Sequence, residues 1–264
     1  MVVRVLAVGD VTGKGGLAVL SRELRRFITK EKIDFTVVNG ENADVVGART
    51  AQIERIFEAG ADVVTMGNHT YSRNEIIPML EEEERLLRPA NFSSRAPGHG
   101  YTVCGSAGPR ILVISLIGRV FMDVGPENPF FTADRILERT KADIRLIDFH
   151  AEATSEKMAL AYYLDGRVSA VWGTHTHVQT SDERILQGGT GYITDIGTTG
   201  PVDSILGVRV SQSVSRFLGY PPERYAAAEG PAKLEGAVFD IDPESGKCLS
   251  VERVRIVDQT SARG

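Results

Sequence analysis

From its N-terminus the chain repeats one pattern three times: a short β-branched apolar run, then residues that are apolar at helical spacing. "VVRVLAVGD" leads to a helix with Leu17, Leu20, Leu24, Phe27 and Ile28 on one stripe. "DFTVVNGE" leads to one carrying Ile53, Ile56 and Phe57, and "ADVVTMGNH" to "NEIIPMLEEE". A βαβαβα start constrains the fold strongly, because parallel neighbours need crossovers and a parallel sheet must be covered by helices. The middle of the chain changes character. "GYTVC" and "RILVISLIG" flank Gly105 to Pro109 as a hairpin, and a helix from about Thr132 leads to "DIRLIDFHAE". After a helix over "SEKMALAYYL" come "VSAVWGTHTH" and "TGYITDIG". The end, "LEGAVFDIDPESGKCLSVERVRIV", reads as another hairpin turning at Asp242 to Lys247. Parallel strands first and hairpins later predict two sheets packed face to face, with helices outside.

Nothing in the 264 residues reads as a linker, an internal sequence repeat or a low-complexity run, so residues 1–264 are expected to form a single domain. The hydrophobic share of 42% and charged share of 25% exclude a disordered chain and a membrane protein. The first residues meet Asp10 too soon to form a signal peptide or a spanning helix, which predicts a cytoplasmic protein. Cys104 and Cys248 are too few for a disulfide scaffold and fit a reducing compartment. A net charge of −5 argues against a long nucleic-acid groove, since duplex binding relies on basic surface. A small anionic substrate stays compatible if metal ions supply the positive charge.

Polar residues follow the apolar runs in order: Asp10; Glu41 with Asn42; Asn68 with His69; His150; His175 and His177. In open α/β sheets, sites form beyond the carboxyl ends of strands, so these scattered residues can converge. His175-Thr176-His177 is the most telling unit, because alternate residues of an extended segment point the same way and can address neighbouring metals. Imidazoles mixed with carboxylates and amide oxygens suit Mn, Fe or Zn in octahedral sites better than a structural zinc, which favours thiolates. So many ligands exceed one ion and suffice for two, with Glu41 as a bridge.

Each residue also has a plainer reading. A lone histidine at a strand end is commonly a hydrogen-bonded structural residue, and His99 in "PGHG" is read so. Asp10 alone reads equally as a helix N-cap, Glu41 and Asn42 as a polar loop, and Asn68 as a turn former. Jointly the plainer reading weakens, since four of the five histidines would need separate explanations. "GDVTGKGG" imitates a phosphate loop but is one residue short between Gly9 and Gly13, and Gly15 stands where serine or threonine would hold magnesium. That leaves Lys14 and the amides near Gly13 as candidates to face a phosphate. Glu152 and Glu156 in "FHAEATSEK" resemble a carboxylate pair, but their spacing fits the capped start of a helix better. No serine stands in a nucleophile-elbow context.

The order D…GEN…GNH…FHAE…GTHTH resembles the calcineurin-like metallophosphoesterases. "NGENA", "GNHT", "LLRPANF", "FHAEATSEK", "GTHTHVQT" and "TGP" look like their YmdB-like subfamily over nearly the whole chain. The broad superfamily has D-x-H first and a bridging aspartate, whereas this chain has Asp10-Val11-Thr12 and Glu41; Asn42 can supply an oxygen in place of the absent histidine. The resemblance implies a four-layer α/β/β/α sandwich of two mixed sheets. It implies that Asp10, Glu41, Asn42 and His177 hold one ion, and Glu41, Asn68, His150 and His175 a second. The ions expected are divalent or mixed-valence Fe and/or Mn, with Zn or Mg as alternatives. His69 would be the catalytic residue, giving a proton to the leaving oxygen after a metal-bridging hydroxide attacks phosphorus. The implied activity is a dinuclear phosphodiesterase acting on small phosphodiesters, 2',3'-cyclic nucleotides foremost. The alternatives are a nucleotide-sensing regulator using the same pocket and a metallohydrolase of phosphomonoesters. Expected partners are a small phosphodiester, no long nucleic acid and no membrane; a homo-oligomer is compatible with the reading.

Overall fold

The computed structural model describes residues 2–105, 108–122 and 124–258. Its N-terminal part runs β1 (Val3–Val8), β2 (Asp10–Val11), α1 (Gly13–Glu31), β3 (Phe35–Asn39), α2 (Thr50–Ala59), β4 (Val63–Thr65), α3 (Ile77–Glu82) and β5 (Leu86–Leu87). The middle comprises β6 (Tyr101–Cys104), β7 (Ile111–Ile117), α4 (Pro129–Arg139), β8 (Ile144–His150), α5 (Thr154–Leu164) and β9 (Ala170–Thr174). Then follow β10 (Arg184–Ile185), β11 (Gly191–Ile193), β12 (Thr198–Pro201), α6 (Val210–Phe217), β13 (Ala232–Ile241) and β14 (Cys248–Asp258). One sheet has the order β2-β12-β13-β1-β3-β4-β5 with β14 on β13, and the other β10-β11-β9-β8-β7-β6. In the first, β1, β3, β4 and β5 are parallel while β13 runs antiparallel to β1. In the second, β7, β8, β9 and β11 are parallel, edged by antiparallel β6 and β10. Both sheets are therefore mixed. The two expected hairpins form but divide between the sheets, the last one returning to the first strand.

Strand periodicity explains the layers. Val3, Val5 and Ala7 of β1 meet Ile144 and Leu146 of β8 and Trp172 of β9 in a core between the sheets, where the Trp172 and Phe239 rings lie 5.7 Å apart. The alternate residues Leu6 and Val8 face outward onto Leu17, Leu20 and Leu24 of α1 and Ile53 and Ile56 of α2. On the other side Leu112, Ile114, Ile147 and Phe149 pack on Ile136 of α4 and Leu160 and Leu164 of α5. Because alternate side chains of a strand point to opposite faces, each buried strand feeds two cores, and the result is the expected α/β/β/α sandwich. Helix α4 begins three residues before Thr132, because the Asn128 side chain accepts the Phe130 N–H at 2.9 Å and caps it there. No helix of the described residues is long and apolar enough to cross a membrane.

Candidate metal centre

The inward face of several strands turns from apolar to polar at the carboxyl end. On β8 the face reads Ile144, Leu146, Asp148, His150; on β3 it reads Phe35, Val37, Asn39 and continues to Glu41. The crevice beyond these ends is where Asp10, Glu41, Asn42, Asn68, His69, His150, His175 and His177 meet. Asp10 lies in β2, which β12 holds in place by pairing Thr198 with Asp10. Asp10, Glu41 and His150 are fully buried, and Asn42 nearly so.

His150 Nε2 is the focus. Around it stand Glu41 Oε1 at 3.0 Å, Asn68 Oδ1 at 2.9 Å and His175 Nδ1 at 3.0 Å. On the other side of Glu41, Asn42 Nδ2 lies 3.2 Å from Glu41 Oε1 and 3.1 Å from His177 Nε2. His177 Nε2 is 3.6 Å from Asp10 Oδ1, a buried carboxylate oxygen with no hydrogen-bond partner. Glu41, His150 and His175 alone place ligand atoms within 4.8 Å of one another.

Each ring's far nitrogen helps explain why the near one is turned inward. Thr174 Oγ1 spends its single hydrogen on Asp148 Oδ1 at 2.7 Å, so His150 Nδ1 must donate to Thr174 Oγ1 at 2.9 Å. His177 Nδ1 donates to the Leu206 carbonyl at 3.1 Å, and His175 Nε2 faces the Glu152 carboxylate at 3.2 Å. An outward N–H fixed in this way is what orients a metal-binding imidazole. Together with the orphaned Asp10 oxygen, the donor set therefore fits metal ions.

The electrostatics agree with that fit. Burial disfavours charge on His150, but the Glu41 and Asp10 carboxylates overcome it and raise its pKa to about 9. Burial likewise pushes Glu41 up, and the adjacent His150 outweighs it, leaving Glu41 below its usual range. Asp10 is held low in the same manner, His177 supplying the opposing charge. Burial, reinforced by the charge on His150, pushes His175 down to about 4. Two buried carboxylates thus require positive charge beside them, which a proton or a cation can supply.

Gly67 shows how closely the site is built. A Cβ there would overlap Glu41 Oε2 and the His150 ring, so the turn before Asn68 has room for hydrogen only. His69 follows, its backbone N–H donating to Glu41 Oε2 at 3.1 Å and its Nε2 lying 3.3 Å from Asn68 Nδ2.

Four details of the sequence reading change. His175 and His177 are not in an extended segment: φ is 99° and 61°, and a loop beyond β9, rather than strand alternation, aims both rings inward. Asp10 does not cap α1, whose N-cap is Thr12. The Gly13 N–H is taken by the Asn42 carbonyl at 3.0 Å and Lys14 is exposed, so neither stands in the crevice. Glu152 and Glu156 do not cap α5, whose N-cap Ala153 makes no side-chain bond; the Glu152 carboxylate lies 3.2 Å from His175 Nε2, and Glu156 accepts the Arg119 and Val120 N–H groups. His99, as expected, lies elsewhere, against the Glu81 carbonyl.

Two further groups escaped the sequence reading. Asp148 ties the sheets together, accepting Thr65 Oγ1 at 2.5 Å and Thr174 Oγ1 at 2.7 Å with Asn39 Nδ2 at 3.3 Å; burial raises its pKa to about 6 against those hydrogen bonds. The two-residue period from His150 back to Asp148 was its available signal. Lys157 Nζ pairs with Asp195 Oδ2 at 2.7 Å, both about 1% exposed, and the same oxygen accepts the N–H and hydroxyl of Thr176, the residue between the two loop histidines. No sequence signal joins Lys157 to Asp195.

Residues 6–254 match the family described as YmdB-like protein. The chain is 45% identical over 258 residues to the 2',3'-cyclic-nucleotide 2'-phosphodiesterase of Bacillus subtilis (strain 168), covering 97% of each. A crystal structure of a hypothetical protein from Thermus thermophilus superposes with a TM-score of 0.90 at 40% identity, over 97% of this chain and 99% of that one. That of a phosphatase from Mycoplasma pneumoniae superposes with a TM-score of 0.92 at 32% identity, over 98% and 95%.

Proposed function

The chain belongs to the YmdB-like protein family, and on that premise we propose that it is a metal-dependent phosphodiesterase that hydrolyses small phosphodiesters, 2',3'-cyclic nucleotides foremost. The observation that carries this reading is the convergence of three imidazoles on two buried carboxylates, His150 and His177 each fixed by an outward N–H and His175 lying beside Glu152. Asp10, Glu41, Asn42 and His177 would hold one ion and Glu41, Asn68, His150 and His175 another, with Fe or Mn suiting the mixed oxygen and nitrogen donors. Bound ions supply an activated water at neutral pH and charge neutralisation at the phosphoryl oxygens.

The chain's own residues do the rest. Glu41, set between the two groups, orients the His69 backbone through its N–H at 3.1 Å. Asn68 presents its oxygen to the centre while its amide nitrogen lies 3.3 Å from His69 Nε2, and His69 Nδ1 is unpartnered among the described residues. His69 is only partly buried, so a substrate can reach it. Protonated His69 donates to the departing ribose oxygen, an alkoxide too basic to leave unassisted. Asp148, acting through Thr174, holds the tautomer of His150, and the Leu206 carbonyl holds that of His177.

The test is metal content together with turnover of 2',3'-cAMP, bis(p-nitrophenyl) phosphate and p-nitrophenyl phosphate. The expected result is about two ions per chain and hydrolysis of both diesters in preference to the monoester. Preference for the monoester indicates a phosphomonoesterase. Nucleotide binding without turnover indicates a sensor.

A further inference from the structure

The turns that follow Asn42 and His69 wall a second cavity. The Val45 N–H closes one turn on the Asn42 carbonyl at 2.8 Å, and the Ser72 N–H closes the other on the His69 carbonyl at 3.0 Å. The turns touch: a Cβ at Gly47 would lie 3.0 Å from Ser72 Cβ and 3.4 Å from the His69 carbonyl oxygen. Between them and the segment bearing Arg224 and Tyr225 lies a cavity of about 350 Å³. That volume falls in the small-molecule range of roughly 300–1,000 Å³. Its lining begins at Asp44, two residues after Asn42, and at Ser72, three residues after His69, so the cavity lies on the same two turns that carry these site residues.

The lining has the chemistry of a nucleobase site. Val45 and Val46 give an apolar surface, and Tyr225 offers a half-buried ring whose hydroxyl accepts from Arg216 at 2.7 Å. Asp44 is neutralised by Arg49 at 3.2 Å and Arg73 at 2.9 Å, so the cavity does not repel an anion's neighbour. Two donors remain unused. Arg73 Nε is buried without a hydrogen-bond partner, and the Arg224 guanidinium makes no hydrogen bond or ion pair among the described residues. Aromatic rings and guanidinium planes stack on single bases, and spare N–H groups meet a base's acceptor edge. A net charge of −5 suits one nucleotide rather than a strand.

We propose that this cavity is the base subsite of the same reaction: it takes the nucleobase of a cyclic nucleotide whose phosphate lies at the metal centre, with Tyr225 and Arg224 stacking on it. This rests on the phosphodiesterase reading above. The test measures kcat/KM of the full chain for 2',3'-cAMP and for methyl riboside 2',3'-cyclic phosphate, which has the same reacting bond and no base. The wild-type protein is expected to favour 2',3'-cAMP at least tenfold. Arg224→Ala and Tyr225→Ala should each cut that ratio by about tenfold through KM, within the range of base stacking, while Tyr225→Phe, which keeps the ring, should preserve it. Both side chains lie at the surface of their segment, and unchanged thermal midpoints verify folding. No preference in the wild-type protein, or a ratio unmoved by either alanine variant, overturns the base subsite and leaves the phosphodiesterase reading standing. Turnover of neither cyclic phosphate overturns both.

Discussion

Lys157→Met removes the cation from a buried pair while keeping most of the aliphatic stem. The ammonium lies 2.7 Å from Asp195 Oδ2 with both side chains about 1% exposed, so the stranded carboxylate cannot turn to solvent. Breaking one side of a buried pair costs about 3–5 kcal/mol. Asp195 keeps the Thr176 N–H at 3.2 Å, the Thr176 hydroxyl at 2.8 Å and the Gly197 N–H at 2.9 Å, which argues for the lower end. A loss of about 3 kcal/mol lowers the unfolding midpoint by roughly 6–12 °C in a chain of this size. The effect should reach the metal centre, because Thr176 separates His175 and His177, whose positive φ values need external support. Loosening residues that orient ligands typically weakens metal binding about 10- to 100-fold. The assay is thermal unfolding plus Mn titration of wild type, Lys157→Met, Asp195→Asn and the double variant. The double variant, with neither charge, should recover half or more of the stability. Additive losses refute the pair as a coupled unit, and a destabilised Lys157→Met that binds Mn as tightly as wild type refutes its role in positioning the loop.

Gly67→Ala should fold with about 1–3 kcal/mol lost to overpacking and bind metal weakly, because its methyl overlaps Glu41 and His150; stoichiometric metal by elemental analysis would contradict the site's geometry. Glu41→Gln should lose more metal and more rate than Asn42→Ala, since only the former removes a shared charge, and equal retention in both argues against a bridge. His69→Ala should keep both ions yet slow 2',3'-cAMP hydrolysis by about 10²- to 10⁴-fold. Its loss with bis(p-nitrophenyl) phosphate should be much smaller, because nitrophenolate leaves without a proton. An emptied metal site, or equal slowing of both substrates, shows that His69 is not the acid.

Much of this protein is fixed by local chemistry that a sequence displays. β-Branched runs and helical stripes specify strands and helices through side-chain spacing, and polar residues after apolar runs mark strand ends, which is why Asp10, Glu41, Asn68, His150 and the His175–His177 unit could be picked out in advance. Tertiary structure decided what depends on pairing between distant segments. The return of β13 beside β1, the burial of Lys157 against Asp195, and the reach of Glu152 to His175 join residues 38 or fewer apart in some cases and most of the chain apart in others. None of these contacts follows a period along the chain. The left-handed backbone at His175 and His177 belongs here too, since histidine only occasionally adopts φ above zero and the surrounding hydrogen bonds hold it. Spacing along one segment marks the candidate ligands; packing between segments sets the tautomer, charge and direction in which they face one another.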